Sequence, residues 1–176
     1  MAPVTDIVDL GQLGLKPGGG IRFEASVPVG DFKFSDERYS LTEDPAAVTV
    51  DIARTSSGYV IRARLTDTIE GPCMRCYGDY SLALAIDQSE VHEPHLDEEL
   101  ASDYVTGQDF DLASFVRDAI GLALPTSISS PVDENGVCIE CEHSEQQLAK
   151  LRDTDEAAEE EPQLDPRWAK VRELEL

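Results

Sequence analysis

Tyr59-Val60-Ile61-Arg62-Ala63-Arg64-Leu65, running on to Gly71-Pro72-Cys73-Met74-Arg75-Cys76-Tyr77 and into Tyr80-Ser81-Leu82-Ala83-Leu84-Ala85-Ile86, is the stretch that decides the fold. Before the cysteines, Tyr59, Ile61, Ala63 and Leu65 alternate with Val60, Arg62 and Arg64; after them, Tyr80, Leu82, Leu84 and Ile86 recur at every second position. Period-two alternation marks a strand with one face buried. It predicts two strands, about 59–69 and about 79–91, with Cys73-x-x-Cys76 at the tip of the hairpin between them. Such a turn aims two sulfurs at one point and is a familiar seat for a zinc knuckle.

The chain's other two cysteines repeat the pattern in Cys138-Ile139-Glu140-Cys141. Two such turns supply four thiolates, the ligand set of a tetrahedral structural zinc. Between Cys76 and Cys138 lie 61 residues, whereas compact zinc ribbons place roughly 15–20 between their pairs. A shared site therefore joins distant parts of the chain. Three other uses compete with zinc: inert reduced pairs, a structural disulfide, and a redox dithiol. The redox use asks for a low-pKa cysteine at a helix start, and Cys73 instead follows Pro72 at a strand end. Four sulfurs close the coordination shell, unlike a catalytic site with an open position. His143 is either a substitute ligand or a solvated loop histidine.

Working outward, Ile21, Phe23, Ala25 and Val27 alternate as a strand after the flexible Lys16-Pro17-Gly18-Gly19-Gly20. Val48, Val50 and Ile52 mark another at about 47–54, joined to the next by Thr55-Ser56-Ser57-Gly58. Residues 31–46 read as an excursion and residues 93–111, dense in carboxylates, as an exposed acidic loop. Leu112, Phe115, Val116, Ala119, Ile120 and Ala123 recur at three and four residues, which predicts a helix over about 112–123 capped by Asp109 or Asp111. Asp133-Glu134-Asn135-Gly136 is a turn into the second cysteine pair, and residues 144–152 read as a short helix. Residues 153–162 read as an acidic flexible linker. Asp165-Pro166-Arg167-Trp168, with Val171 and Leu174, predicts a short terminal helix. Trp168 is expected either to dock on the domain or to grip a partner.

Charge is the second strong signal. The 36 acidic and 14 basic residues give a net charge of −22, and between Arg75 and Lys150 the only basic residue is Arg117. The acidic half suits a basic protein, and a direct RNA contact belongs to the N-terminal half, at Arg62, Arg64 and Arg75; a solvated strand face is the competing use of these arginines. The start lacks a basic region followed by an apolar run, and no segment reaches the roughly 18 apolar residues that span a bilayer. A cytoplasmic protein is expected, where thiols stay reduced. No Ser/His/Asp set, phosphate-binding glycine loop or His-Glu-x-x-His segment is present, so hydrolase and nucleotide-binding readings have no support.

Cys73-Met74-Arg75-Cys76 after a strand, a helix ending Leu122-Ala123-Leu124-Pro125, then Val137-Cys138 with Cys141, and a closing Asp165-Pro166-Arg167 together resemble the YceD family, whose members are described as large ribosomal RNA subunit accumulation proteins. The resemblance covers roughly residues 45–174. It implies a non-enzymatic ribosome-biogenesis factor that supports synthesis, processing or stability of large-subunit ribosomal RNA. Tyr77 stands where Leu usually follows the first pair, and Glu142 where Gly often follows the second. The extra cysteines that many members carry after the Leu-Pro are missing, since residues 126–136 hold none.

The expectation is an α+β protein: an antiparallel β-sheet with one main packing helix, a four-cysteine zinc knuckle and an acidic flexible C-terminal region. Residues 1–152 form one domain with both cysteine pairs; residues 153–176 form the acidic linker and terminal helix. Zinc is structural, held by Cys73, Cys76, Cys138 and Cys141. Partners are ribosomal RNA or basic ribosomal proteins of the large subunit, with no membrane and no small-molecule substrate. The alternatives are a thiol-disulfide oxidoreductase and a zinc-stabilised interaction adaptor unrelated to ribosomes.

Overall fold

The computed structural model describes residues 4–34, 36–93 and 101–141. The expected helix over 144–152, the linker over 153–162, the terminal helix with Trp168, and His143 lie outside the described residues. In chain order the elements are β1 Ile7–Asp9, β2 Gly20–Val27, β3 Phe32–Phe34, β4 Glu37–Leu41, β5 Ala46–Arg54, β6 Tyr59–Pro72, β7 Asp79–His92, β8 Val105–Thr106, β9 Asp109–Asp111 and the helix α1 Leu112–Ala123.

The hub is β6. It pairs antiparallel with β7 along its whole length, from Tyr59 opposite His92 to Pro72 opposite Asp79. Its other edge is shared. Residues Tyr59 to Arg64 pair with β5, and Ile69 and Glu70 pair with β4. Beyond β5 lies β2 and beyond β4 lies β3, giving six strands in the order β2-β5-β6-β4-β3 with β7 on the far edge of β6. Where β5 has ended and β4 has not begun, the pleat puts half-buried Asp67 between inward Leu65 and Ile69.

Alternation sorts the residues as the sequence predicts. Val48, Val50 and Ile52 of β5, Ile61, Ala63 and Leu65 of β6, and Tyr80, Leu84 and Ile86 of β7 face the core and are buried. The opposite face is laid out in rows across four strands: Arg22, Asp51, Arg62 and Ser89, then Glu24, Thr49, Arg64 and Asp87. α1 lays Leu112, Phe115, Val116, Ala119 and Ile120 into the core, and Asp111 caps it by accepting a hydrogen bond from the Ser114 backbone N–H at 2.9 Å.

The α+β expectation is corrected. Of the described residues 49% are strand and 9% helix, and α1 is the one helix among them, so the molecule is mainly antiparallel β with a single helix packed on it. Two short hairpins account for the difference. Residues 31–46 contain β3 and β4, which pair with each other. Residues 101–111 contain β8 and β9, which join β1 in a separate three-stranded sheet. Phe110 is the reason that acidic stretch folds: it is 0% exposed and packs its ring 5.5 Å from that of Phe115. One aromatic between two aspartates gives no periodicity to read.

Candidate metal centre

Both cysteine pairs sit on hairpins. β6 ends at Pro72, the chain turns through residues 73–78, and β7 begins at Asp79. The turn is closed by the Cys73 N–H donating to the Gly78 carbonyl (2.8 Å) and the Tyr77 N–H donating to the Cys73 carbonyl (2.9 Å). Closing it puts Tyr77 at φ 59°, a left-handed conformation that costs a non-glycine residue about 1–2 kcal/mol. Behind the turn, the buried Tyr39 of β4 donates its hydroxyl to the Pro72 carbonyl (2.8 Å). Gly71 makes room for that ring, since a Cβ there would lie 2.3 Å from Tyr39 Cδ1.

The second pair rides a smaller hairpin. Val132 bridges Cys138, and the Asp133 carboxylate accepts from the backbone N–H groups of Asn135 (2.9 Å) and Val137 (2.8 Å). Those donors, the Val137 N–H above all, hold its carboxyl below the usual aspartate range. Gly136 takes φ 82° in the turn. Ser130, 3% exposed, accepts the Glu140 N–H on its hydroxyl at 2.9 Å, and the Ile139 N–H donates to the Pro131 carbonyl at 3.1 Å. The two hairpins are tied by the Met74 N–H donating to the Ile128 carbonyl at 2.9 Å.

The four Sγ atoms of Cys73, Cys76, Cys138 and Cys141 lie within 4.8 Å of one another. Cys73 Sγ and Cys138 Sγ are 3.9 Å apart. A bonded disulfide needs about 2.05 Å, whereas a tetrahedron with Zn–S bonds of about 2.3 Å has edges of roughly 3.8 Å. The cluster thus has the size of a metal's sulfur shell. No disulfide joins the four cysteines, and three of them are buried.

Electrostatics point the same way. Burial pushes the Cys73 thiol up, but the backbone N–H groups of Cys76, Arg75 and Ser130 outweigh it and bring it down to about 6. The others move oppositely: burial, then the Cys76 and Cys73 sulfurs, push Cys138 up to about 11 and Cys141 up as well. One thiolate makes the next harder to form. A divalent cation at the centre would remove that conflict and hold all four ionised. The lowered Cys73 thiol is 0% exposed and stands at a strand end, unlike the accessible cysteine at a helix start that thioredoxin-type exchange uses.

The three arginines do not meet. Arg62 is paired with Asp87, and Arg64 with Asp51, which also pairs with Arg22. Arg62 holds the Asp87 carboxyl, and Arg22 chiefly that of Asp51, below their ordinary range. Both arginines belong to the open sheet face, whereas Arg75 is exposed on the knuckle itself and makes no ion pair among the described residues. Trp168 lies outside the described residues. Sequence reasoning missed Tyr39, Ile128 and Ser130 as supports of the centre. Only the Gly71-Pro72 step hinted at a close neighbour.

No helix among the described residues is long and apolar enough to cross a membrane. No solved structure matches the chain. Proteins of Mycobacterium bovis and Mycobacterium tuberculosis, each named an uncharacterized protein, are 27% identical over 187 residues, covering 98% of this chain and 82% of theirs. The sequence profile described as "Large ribosomal RNA subunit accumulation protein YceD" matches residues 61–175, from β6 through both cysteine pairs. With more than half of its length inside that match, the chain belongs to the YceD family.

Proposed function

We propose that this protein is a non-enzymatic ribosome-biogenesis factor that supports the synthesis, processing or stability of large-subunit ribosomal RNA by binding, with one structural zinc on Cys73, Cys76, Cys138 and Cys141. The observation that carries this reading is a family match that contains the whole sulfur cluster. The zinc cross-links two hairpins far apart in sequence, and its closed shell offers no open position for catalysis. Residues 1–152 carry the sheet and the centre; residues 153–176 bring acidic charge and Trp168 to a basic large-subunit ribosomal protein. Of the three arginines, Arg75 is the principal RNA contact, because Arg62 and Arg64 are already engaged in ion pairs with Asp87 and Asp51.

The test is affinity for precursor large-subunit RNA and for basic large-subunit ribosomal proteins across a salt series. Arg75→Ala is expected to flatten the RNA salt slope by about 0.7, one single-strand phosphate contact. Arg62→Ala with Arg64→Ala is expected to change it less. Deleting residues 153–161 weakens binding of the basic protein and leaves RNA binding unchanged or stronger. If neither ligand binds the wild-type chain at low salt, the direct-contact mechanism is wrong.

A further inference from the structure

We propose that the outer edge of β7 takes up an extended basic segment of a partner protein as an added strand. This rests on the basic-protein part of the reading above and gives that partner a place on the molecule. β7 is 14 residues long and pairs along its whole length with β6 alone. In an antiparallel ladder every second residue turns its N–H and C=O away from the neighbouring strand. From Asp79 to Val91 no backbone hydrogen bond among the described residues meets those outward groups. The other edges differ: on β2 the Ser26 carbonyl accepts the Thr5 N–H at 2.9 Å, and β3 has only 3 residues.

A long unpaired edge is a template for another strand, and proteins usually blunt it with lysine, proline or a bulge. β7 has neither lysine nor proline, and its register with β6 runs one to one without a bulge. On the open face of the sheet its side chains are Ser81, Ala83, Ala85, Asp87 and Ser89, all exposed and mostly small. They leave room for the long side chains of a neighbour. On the inward face Tyr80, Leu84 and Ile86 are buried, but Leu82 is only half-buried and leaves apolar surface at the edge. The segment that fits therefore alternates, with basic residues on the open side and apolar residues beside Leu82.

Charge selects the occupant. β7 carries Asp79, Asp87 and Glu90 and no basic residue. Full antiparallel overlap of two copies would set Asp79 of one against Asp87 and Glu90 of the other, so the edge is guarded against its own kind. A basic segment meets attraction in the same place. Asp87 is already paired with Arg62, which leaves the stronger pull at the knuckle end. There a cleft of about 410 Å³ is lined by Glu70, Asp79 and Glu140 with Gly71, Tyr80 and Ser81, and none of its three carboxylates makes an ion pair among the described residues. Ser81 stands opposite Glu70 on β6, so a Lys or Arg on a strand added beside Ser81 reaches this cleft. RNA is the poorer ligand, because these carboxylates repel phosphate.

The experiment uses the purified full chain and a labelled peptide of about ten residues, alternating Lys and Val, with binding read by fluorescence anisotropy and backbone protection by amide hydrogen exchange. The peptide is expected to bind at low salt and to slow exchange within residues 79–91. The same peptide methylated at every backbone nitrogen keeps its charge but loses its ladder donors, and is expected to bind about tenfold or more weakly. Alternating Glu and Val is expected not to bind. Ser81→Lys with Ala85→Lys, both at exposed positions, is expected to weaken the Lys-Val peptide by about tenfold or more. The methylation arm needs no variant, so it stands whatever the substitutions do to the fold. Equal binding of methylated and unmethylated peptide, or protection that arises outside residues 79–91, overturns the proposal. Protection of that edge by a second copy as protein concentration rises, or by single-stranded RNA in place of the peptide, also overturns it. Failure of the peptide while intact basic large-subunit ribosomal proteins still bind overturns the proposal and leaves the basic-protein reading standing; failure of both overturns the two together.

Discussion

At the scale of single residues, the cysteine turn depends on a close approach that no cysteine makes. Tyr39 reaches from β4 to the end of β6, donates to the Pro72 carbonyl, and lays its ring where a Cβ on Gly71 would stand. Gly71→Ala must therefore displace a side chain that is 1% exposed. A destabilisation of about 1–3 kcal/mol is expected, as for other overpacked cores, and urea denaturation measures it. An unchanged midpoint would mean that the ring shifts freely and does not support the knuckle. Phe110 is the second such residue. Phe110→Ala is expected to lower stability by about 3–5 kcal/mol, against almost no effect if the short hairpin were mere surface.

At the scale of elements, α1 and the four long strands have local signals strong enough to stand alone, and the short strands do not. Asp111→Ala removes the acceptor of the Ser114 N–H and is expected to destabilise the helix by about 0.5–2 kcal/mol, read from the thermal midpoint. The exposed sheet face is a different case. Asp51 and Asp87 ionise below their ordinary range, so what their pairs contribute is complete above the unfolded carboxylate pKa of about 4 and is lost as pH falls through the lower folded values. Because the Arg62–Asp87 pair is exposed, Asp87→Asn is expected to leave the thermal midpoint at neutral pH nearly unchanged. The alternation of Ile61, Ala63 and Leu65 and of Tyr80, Leu84 and Ile86 was enough to place β6, β7 and the cysteine turn between them. The 3.6 spacing from Leu112 placed α1. β3, β4, β8 and β9 have two to five residues each, too few for a period, and their pairing is decided by contacts with distant residues such as Tyr39 and Phe110. Of the candidate site, the four sulfurs were legible from spacing alone, whereas Ser130 and Ile128, which seat the second hairpin, carry no pattern that spacing reveals.

At the scale of the whole molecule, the sheet is held by the ladder along β6, while residues 126–141 are fastened to it by the buried Ile128 side chain, the backbone hydrogen bond from Met74 to Ile128 and the meeting of sulfurs. A metal there would act as a cross-link between chain segments more than 60 residues apart in sequence. Hydrogen exchange in the presence of a chelator is expected to speed up first in residues 126–141 and around Met74, with the β5-β6-β7 ladder protected longest. Uniform acceleration would show that the centre supports the entire fold. The measurement that tests the account most directly is native mass spectrometry of the intact chain at neutral pH, before and after a zinc chelator and for Cys138→Ser. The account predicts about one zinc per chain in the wild type, its removal by chelator with a fall in thermal midpoint, and little or none in the variant. A folded wild-type chain that carries no metal, whose thermal midpoint a chelator leaves unchanged, would contradict it.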